Sequence, residues 1–302
     1  MKIYAPKYYS DFSCIADRCR HSCCIGWEID IDSETLEKYR ALKADYADEI
    51  RKSIDDAKVP HFRLGIGERC PHLSENGLCR IITQLSEDFL CDICREHPRF
   101  YNINERGMFV GLGMACEAAA RIIFSSDEYG VFIETGETDG ENEKIGFDPY
   151  VPIQKIYSVL FASDMPYSDK LEKIYGEFEI SPSCISDEEW RDILSSLEYL
   201  NEDHRDVFFR YSSDLCTPEY AEKALERALA YFVYRHCTGA RDENTFFVSL
   251  GFCLFCERLL ATAIKAKNAV NFEDICTLGR IISEEIEYSE DNTEEIKLAF
   301  LF

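Results

Sequence analysis

Nine cysteines crowd the first 116 residues of this chain. They run Cys14-x4-Cys19-x3-Cys23-Cys24, then Cys70-Pro71-His72-Leu73 and Cys79, then Cys91-x2-Cys94-x2-His97-Pro98-Arg99, and finally Cys116. A thiolate is a soft anionic ligand, and several converging on one point repel unless a cation sits among them. Zinc and iron–sulfur clusters both meet that need. The Cys91-x2-Cys94 spacing lets two thiolates of one turn reach one centre, and a turn at Asn76-Gly77 can swing Cys79 toward Cys70. At a helix start, the Cys116 thiolate would be favoured by the helix dipole. Ligands from several segments would also couple metal binding to folding. A single cysteine is usually a buried free thiol, but nine at this density favour metal. Disulfides are the weaker rival, because nine is odd and the adjacent Cys23-Cys24 cannot easily bridge without strain.

Nine exceed the four ligands of an ordinary site, so either two sites exist or some cysteines are redox-active or merely packed. The adjacent pair is expected to point in two directions. Only one clean Cys-x2-Cys pair occurs among the nine, so the spacings suit an irregular cluster cage at least as well as a zinc ribbon. Cys19-x3-Cys23 begins the Cys-x3-Cys-x2-Cys pattern of radical chemistry, but Gly26 stands where the third cysteine belongs. Cys253-x2-Cys256 lies within the apolar run Phe246–Leu260 and reads as core packing. Gly111-x-Gly113 is a lone glycine pair and a weak nucleotide signal. Trp27 is placed to shield a cluster or to fill a core. His21, His72 and His97 read as surface or supporting residues rather than ligands. Arg99 is placed to hydrogen-bond cluster sulfur or to hold a carboxylate, with an ordinary salt bridge as the plainer role. Glu117 and Arg121 have the spacing of a surface helix pair.

These residues need elements to hold them. Asp32 or Ser33 can cap one helix carrying Leu36, Tyr39, Tyr46, Ile50 and Ile54 on a single face. Met108–Met114 reads as extended, followed by a helix from Cys116 through Phe124. Gly130, Gly136, Gly140 and Gly146 punctuate an acidic connector, with a short strand at Val131–Ile133. Ser186 with Glu189 predicts a capping box, and Thr217-Pro218 predicts a helix start reaching about His236. Further helices are expected near 243–266, 271–288 and 293–301. The expected fold is mainly α: an irregular cysteine-rich metal-binding N-terminal domain over 1–126, a connector over 127–149 and an acidic α-helical domain over 150–302.

Charge narrows the partners. The chain carries a net charge of −24, of which residues 126–302 contribute −21. Such a surface repels phosphate backbones, which argues against nucleic acid. Its plain role is solubility; its sharper role is attraction of a lysine-rich protein. No apolar run of signal-peptide length follows Met1, and Glu257 and Arg258 interrupt the most apolar stretch. A soluble, cytoplasmic protein without membrane attachment is expected.

Taken together, the motifs resemble the flagellin lysine-N-methylase family, within the wider group of zinc- or iron-chelating cysteine-cluster domains. The matching pieces are Tyr4-Ala5-Pro6-x-Tyr8-Tyr9, Phe12-Ser13-Cys14, Cys19, Cys23-Cys24-Ile25-Gly26-Trp27, Cys70-Pro71-His72-Leu73, Leu78-Cys79, Leu90-Cys91-x2-Cys94, Pro98-Arg99 and Ala115-Cys116-Glu117-Ala118-Ala119-Ala120-Arg121. They cover about residues 4–124. The resemblance implies methyl transfer from S-adenosylmethionine to lysines of flagellin, with a 4Fe-4S-type cluster or zinc in the enzyme. It marks Cys14, Cys19, Cys23, Cys24, Cys70, Cys79, Cys94 and Cys116 as ligands, and Cys91 less strongly. His72 stands where an aromatic is common, and the chain is shorter than a full-length member is expected to be. The glycine-rich strand–turn–helix that commonly holds S-adenosylmethionine is missing from the sequence. Two other functions fit the residues: a metal-stabilised protein-interaction module without catalysis, and a cysteine or cluster redox protein.

Overall fold

Strand β1 (Lys2–Pro6) opens the chain, and its pairing decides where the first residues belong. The computed structural model describes residues 1–142, 144, 146–181 and 185–301, so Cys184 lies outside the described residues. The chain packs as two units. A cysteine unit comprises Ser13–Arg99 with Cys116–Ala118, and a helical unit comprises Met1–Phe12, Phe100–Ala115 and the chain from Ala119 onward. Cysteine density alone draws the line at 126. The packing draws it elsewhere because β1 pairs with strands on the far side of the cysteine segment.

Within the cysteine unit the elements are short: α1 (Ser33–Ala41), α2 (Ala47–Ser53), the two-residue strands β2 (Ile54–Asp55) and β3 (His61–Phe62), α3 (Arg80–Gln84) and α4 (Asp92–Glu96). Asp32 caps α1 by accepting the Thr35 N–H at 2.8 Å. The single helix expected from Leu36 to Ile54 is two helices. The chain leaves the helix at Leu42, Arg51 donates to the Tyr39 and Leu42 carbonyls exposed by the break, and Ile54 lies in β2. The Leu36, Tyr39, Tyr46, Ile50 and Ile54 side chains nonetheless share one core. At the predicted turn Gly77 adopts a φ of +80°, and the Ser74 N–H bonds the Leu78 carbonyl at 2.9 Å. Helices of five to nine residues are marginal alone in water, so tertiary links must hold them.

In the helical unit, β4 (Arg99–Asn104) and β5 (Gly107–Leu112) join β1 and β6 (Phe132–Glu137) in one sheet of order β4-β5-β1-β6. β1 runs parallel to β5 and antiparallel to β6. Helix α5 (Glu117–Ser125) follows β5, and then come α6 (Tyr150–Leu160), α7 (Tyr167–Glu177), α8 (Asp187–Ser196), α9 (Arg205–Phe208), α10 (Glu222–Cys237), α11 (Glu243–Lys267), α12 (Phe272–Ile282) and α13 (Glu290–Leu298). The Ser186–Glu189 capping box is present. Thr217-Pro218 instead precedes a 3₁₀ turn at Glu219–Ala221 before α10 begins.

Helices α10 and α11 form the centre of this unit. α11 is buried almost all round, and Cys253 and Cys256 are fully buried within it. By length and composition alone α11 is apolar enough to cross a membrane, yet most of it is covered by its own unit. The Glu257–Arg258 step that interrupts the apolar run is a buried ion pair, with Arg258 also donating to the Asp214 carbonyl and the Thr217 hydroxyl at 3.2 Å.

Candidate metal centre

All nine N-terminal cysteines belong to the cysteine unit, Cys116 included, although Ala115 and Ala119 on either side of its short segment pack with the helical unit. Five of them enter its hydrophobic core. Cys70 and Cys91 are buried among Ile29, Tyr39, Phe62 and Ile81, with Cys24, Cys79 and Cys94 packed against the same cluster. Short backbone links fix these five. The Cys70 N–H bonds the Cys24 carbonyl at 2.8 Å, and the Cys94 N–H bonds the Cys91 carbonyl at 3.0 Å. Cys79 sits at a bridge opposite Leu73.

Burial and mutual charge govern these thiols. Burial pushes the Cys70 thiol up to about 12, and the charges of Cys24, Cys79 and Cys91 push the same way. Burial likewise raises Cys79. The hydrogen bond between Cys91 and Cys94 holds Cys91 low and Cys94 high, and the Tyr39 hydroxyl lies 3.6 Å from the Cys91 sulfur. A metal ion reverses this balance, because it stabilises several adjacent thiolates at once. The chemistry of the donor set therefore fits a thiolate-held metal or cluster.

The geometry is looser than a closed zinc site. Tetrahedral zinc with bonds of about 2.3 Å sets its sulfurs about 3.8 Å apart. Among the described residues no three cysteine sulfurs lie within 4.8 Å of one another. The expectation of an assembled cysteine cage is corrected to that extent: the fold gathers the thiols into one unit but leaves them wider than one tetrahedral ion would.

The other four cysteines are shallower. Cys14 and Cys23 are exposed, and Cys19 and Cys116 half-buried. The Cys19 sulfur lies 3.9 Å from a Glu117 carboxylate oxygen, and Glu117 accepts the Arg20 N–H at 2.9 Å and its guanidinium at 3.3 Å. Glu117 and Arg121 thus do not form the predicted helix pair. Arg121 pairs with Glu273 instead. Cys23 and Cys24 share a hydrogen bond between their thiols, which raises Cys23 and lowers Cys24.

Neighbouring residues have definite roles. His72 is a core histidine: its Nδ1 meets the Tyr46 hydroxyl at 2.6 Å and its Nε2 the Ser53 hydroxyl at 2.9 Å. Burial lowers it to about 4, so it stays neutral, and both ring nitrogens are engaged. Trp27 donates to the Cys23 carbonyl at 2.6 Å and lies near the His97 ring. Arg99 donates to the Arg95 carbonyl at 3.4 Å.

The chain is 31% identical over 134 residues to the lysine-N-methylases of Salmonella choleraesuis and Salmonella typhimurium. That match covers 40% of this chain and 32% of each relative, so the chain spans about a third of the length of these two relatives. It is 28% identical over 169 residues to the flagellar biosynthetic protein FliU of Salmonella muenchen, covering 52% of this chain and 95% of that protein. No family model and no solved structure matches the chain. Similarity therefore associates the chain with flagellar proteins and with proteins named for lysine methylation.

A second donor group was not legible in the sequence. In the helical unit His204, Glu284 and Glu285 bring their ligand atoms within 4.8 Å of one another. These donors are already occupied. Glu285 accepts the His204 ring at 2.5 Å and the Leu200 N–H at 2.8 Å, while Glu284 accepts Arg280 at 2.7 Å. His204 and Glu284 stand 80 positions apart with no spacing motif, which hid the group. Gly111 and Gly113 also gain a reason. A Cβ at Gly111 would strike the Phe100 ring, and one at Gly113 the Tyr288 hydroxyl and Arg235. They permit close packing within the helical unit rather than forming a phosphate loop.

Proposed function

We propose that the chain is a protein lysine N-methyltransferase that uses S-adenosylmethionine, acts on flagellin or another lysine-rich protein, and carries an iron–sulfur cluster in its cysteine unit. The observation that carries this is the similarity to the two lysine-N-methylases. Cys70, Cys79, Cys91 and Cys94, with Cys24 beside them, would hold the cluster. Bound there, the cluster supplies the positive charge that the converging thiolates require. A multi-iron cluster distributes its thiolates over several metals, whereas zinc draws them to one ion.

The chain's own residues supply the rest of the setting. Tyr39 fixes Cys91 through its hydroxyl and anchors itself on the Phe89 carbonyl at 2.5 Å. His72, clamped by Tyr46 and Ser53, stays neutral and adds no competing charge to the core. The net charge of −21 over residues 126–302 attracts both a lysine side chain and a sulfonium donor. The acceptor amine must lose its proton before attack on the methyl group. A soluble cytoplasmic location, where such clusters survive, belongs to this proposal.

The test is transfer of a labelled methyl group from S-adenosylmethionine to flagellin lysines by anaerobically purified protein. Label on lysine supports the assignment. A cluster-loaded chain that neither binds the donor nor labels lysine removes it. The shortness of the cysteine-unit helices favours one second reading, in which the metal is only structural and the acidic helical unit binds a partner. That reading expects partner binding that weakens with salt, and no turnover.

A further inference from the structure

Strand β6 stands at one end of the sheet and pairs with β1 on one side. Among the described residues no strand pairs with its other side. The ladder with β1 fixes which backbone groups face that open side, because bonded and non-bonded pairs alternate along an antiparallel ladder. Met1 and Thr138 exchange both bonds, at 2.8 and 2.9 Å, and the Lys7 N–H bonds the Val131 carbonyl at 2.8 Å. Between these two ends the register shifts once, at Thr135. Alternation then makes Ile3–Gly136 and Ala5–Ile133 bonded pairs, and Lys2–Glu137, Tyr4–Glu134 and Pro6–Phe132 non-bonded ones. Pro6, which has no N–H to give, falls at a non-bonded pair. The N–H and C=O groups of Phe132, Glu134 and Glu137 therefore point to the open edge.

We propose that this edge docks an extended, lysine-bearing polypeptide segment, which joins the sheet as a further strand beside β6. The inference rests on the lysine-rich substrate of the reading above, and not on the methyl donor.

Three observations carry it. The first is the row of outward backbone groups, since an unpaired edge is a ready template for another chain. The second is access. Every side chain from Ile133 to Glu137 is exposed, Ile133 by 39%, so neither face of the strand is covered there. The third is charge. Between Phe132 and Asn142, Glu134, Glu137, Asp139 and Glu141 are acidic and no residue is basic. Lys2 meets Glu134 at 2.6 Å and offsets one of the four. Charged edges ordinarily keep copies of one protein from pairing. The same carboxylates repel a second β6 but favour a strand that sets lysines opposite them, because unlike charges across strands stabilise and like charges destabilise. Main-chain bonds then supply affinity, and alternate lysines supply selectivity.

The experiment measures binding of the full chain to a short fluorescent peptide of alternating lysine and threonine, by anisotropy, with amide hydrogen exchange read by nuclear magnetic resonance. Binding is expected to protect the Phe132, Glu134 and Glu137 amides and to leave the already bonded Ile133 amide unchanged. Glu137→Gln keeps the N–H and removes the charge. It is expected to bind several-fold more weakly at low salt and to match wild type at high salt. Glu137→Pro also removes the outward N–H, with no bond to β1 lost, and is expected to bind about ten-fold more weakly than Glu137→Gln at any salt. A peptide methylated on alternate backbone nitrogens is expected to lose as much against unaltered protein, which guards against misfolding of the proline variant. No binding by wild type overturns the proposal, as does undiminished binding of the methylated peptide or protection that bypasses β6. Pairing of β6 with a second copy that shuts the peptide out also overturns it. Methyl transfer to flagellin that Glu137→Pro leaves unchanged sinks this inference and leaves the function standing. Peptide docking without methyl transfer does the reverse.

Discussion

Cysteine means different things in the two units. In the helical unit Cys237, Cys253, Cys256 and Cys276 are buried, and the Cys237 and Cys253 sulfurs lie 3.9 Å apart. Burial raises Cys253 and Cys256 well above the ordinary thiol range, and no metal need be invoked to keep them neutral. In the cysteine unit only Cys70 and Cys91 are buried, and the other seven thiols are half-buried or exposed. Helix length explains the contrast. α11 has 25 residues and α10 has 16, so the helical unit is stabilised by apolar packing of long elements. α3 and α4 have five residues each and need links of another kind.

Metal removal should break the comparison most sharply. Stripping metal is expected to cost the cysteine unit on the order of 10 kcal/mol, and limited proteolysis should then cut within 13–99 while the helical unit resists. Equal protection of both units after stripping would show that metal is not what holds the short helices. Cys70→Ser and Cys91→Ser should mimic stripping.

Next in size is the ion pair inside α11. Arg258→Ala leaves the Glu257 carboxylate buried without its partner and should destabilise the helical unit by about 3–5 kcal/mol. Metal content should not change, and chemical denaturation of the helical unit reads the loss. A smaller loss would mean that water reaches Glu257.

Acid should also act on the helical unit. Burial lowers His236 to about 4 even though Glu287 lies 2.6 Å from its Nε2. Unfolded, this histidine titrates near 6.5, so between about pH 6.5 and 4 the unfolded chain binds the extra proton. Stability is therefore present above the unfolded value and falls as pH drops, by up to about 3 kcal/mol. Burial also opposes the Glu287 charge, but Arg235 and His236 outweigh it and hold that group low, which adds acid sensitivity of the same sign. Thermal melts of wild type and His236→Phe across this range should converge at low pH, and parallel curves would remove His236 as the cause.

The smallest effect is expected at Cys256→Ala, about 1 kcal/mol from a small cavity with metal content unchanged. Metal loss there would erase the distinction between the two kinds of cysteine.

Much of the local structure was legible. The Asp32 cap, the Ser186–Glu189 capping box and the Asn76-Gly77 turn are written in neighbouring residues, because caps and turns satisfy nearby backbone groups. Legibility failed where a distant partner decided. The apolar spacing from Leu36 to Ile54 suits one helix, but a break at Leu42 lets both halves face one core. The Glu117–Arg121 spacing suits a helix pair, but Arg20 and Glu273 take the two residues apart.

By itself the sequence determined that a thiolate-rich region precedes an acidic helical one, since composition and spacing are local facts. Only the tertiary structure decided which cysteines share a core, that Cys116 returns to the cysteine unit, and that residues 1–12 leave it. The reason is physical. Strand pairing of β1 with β5 and β6 and burial of Cys70 and Cys91 join residues far apart in the chain, and no spacing rule reaches that far.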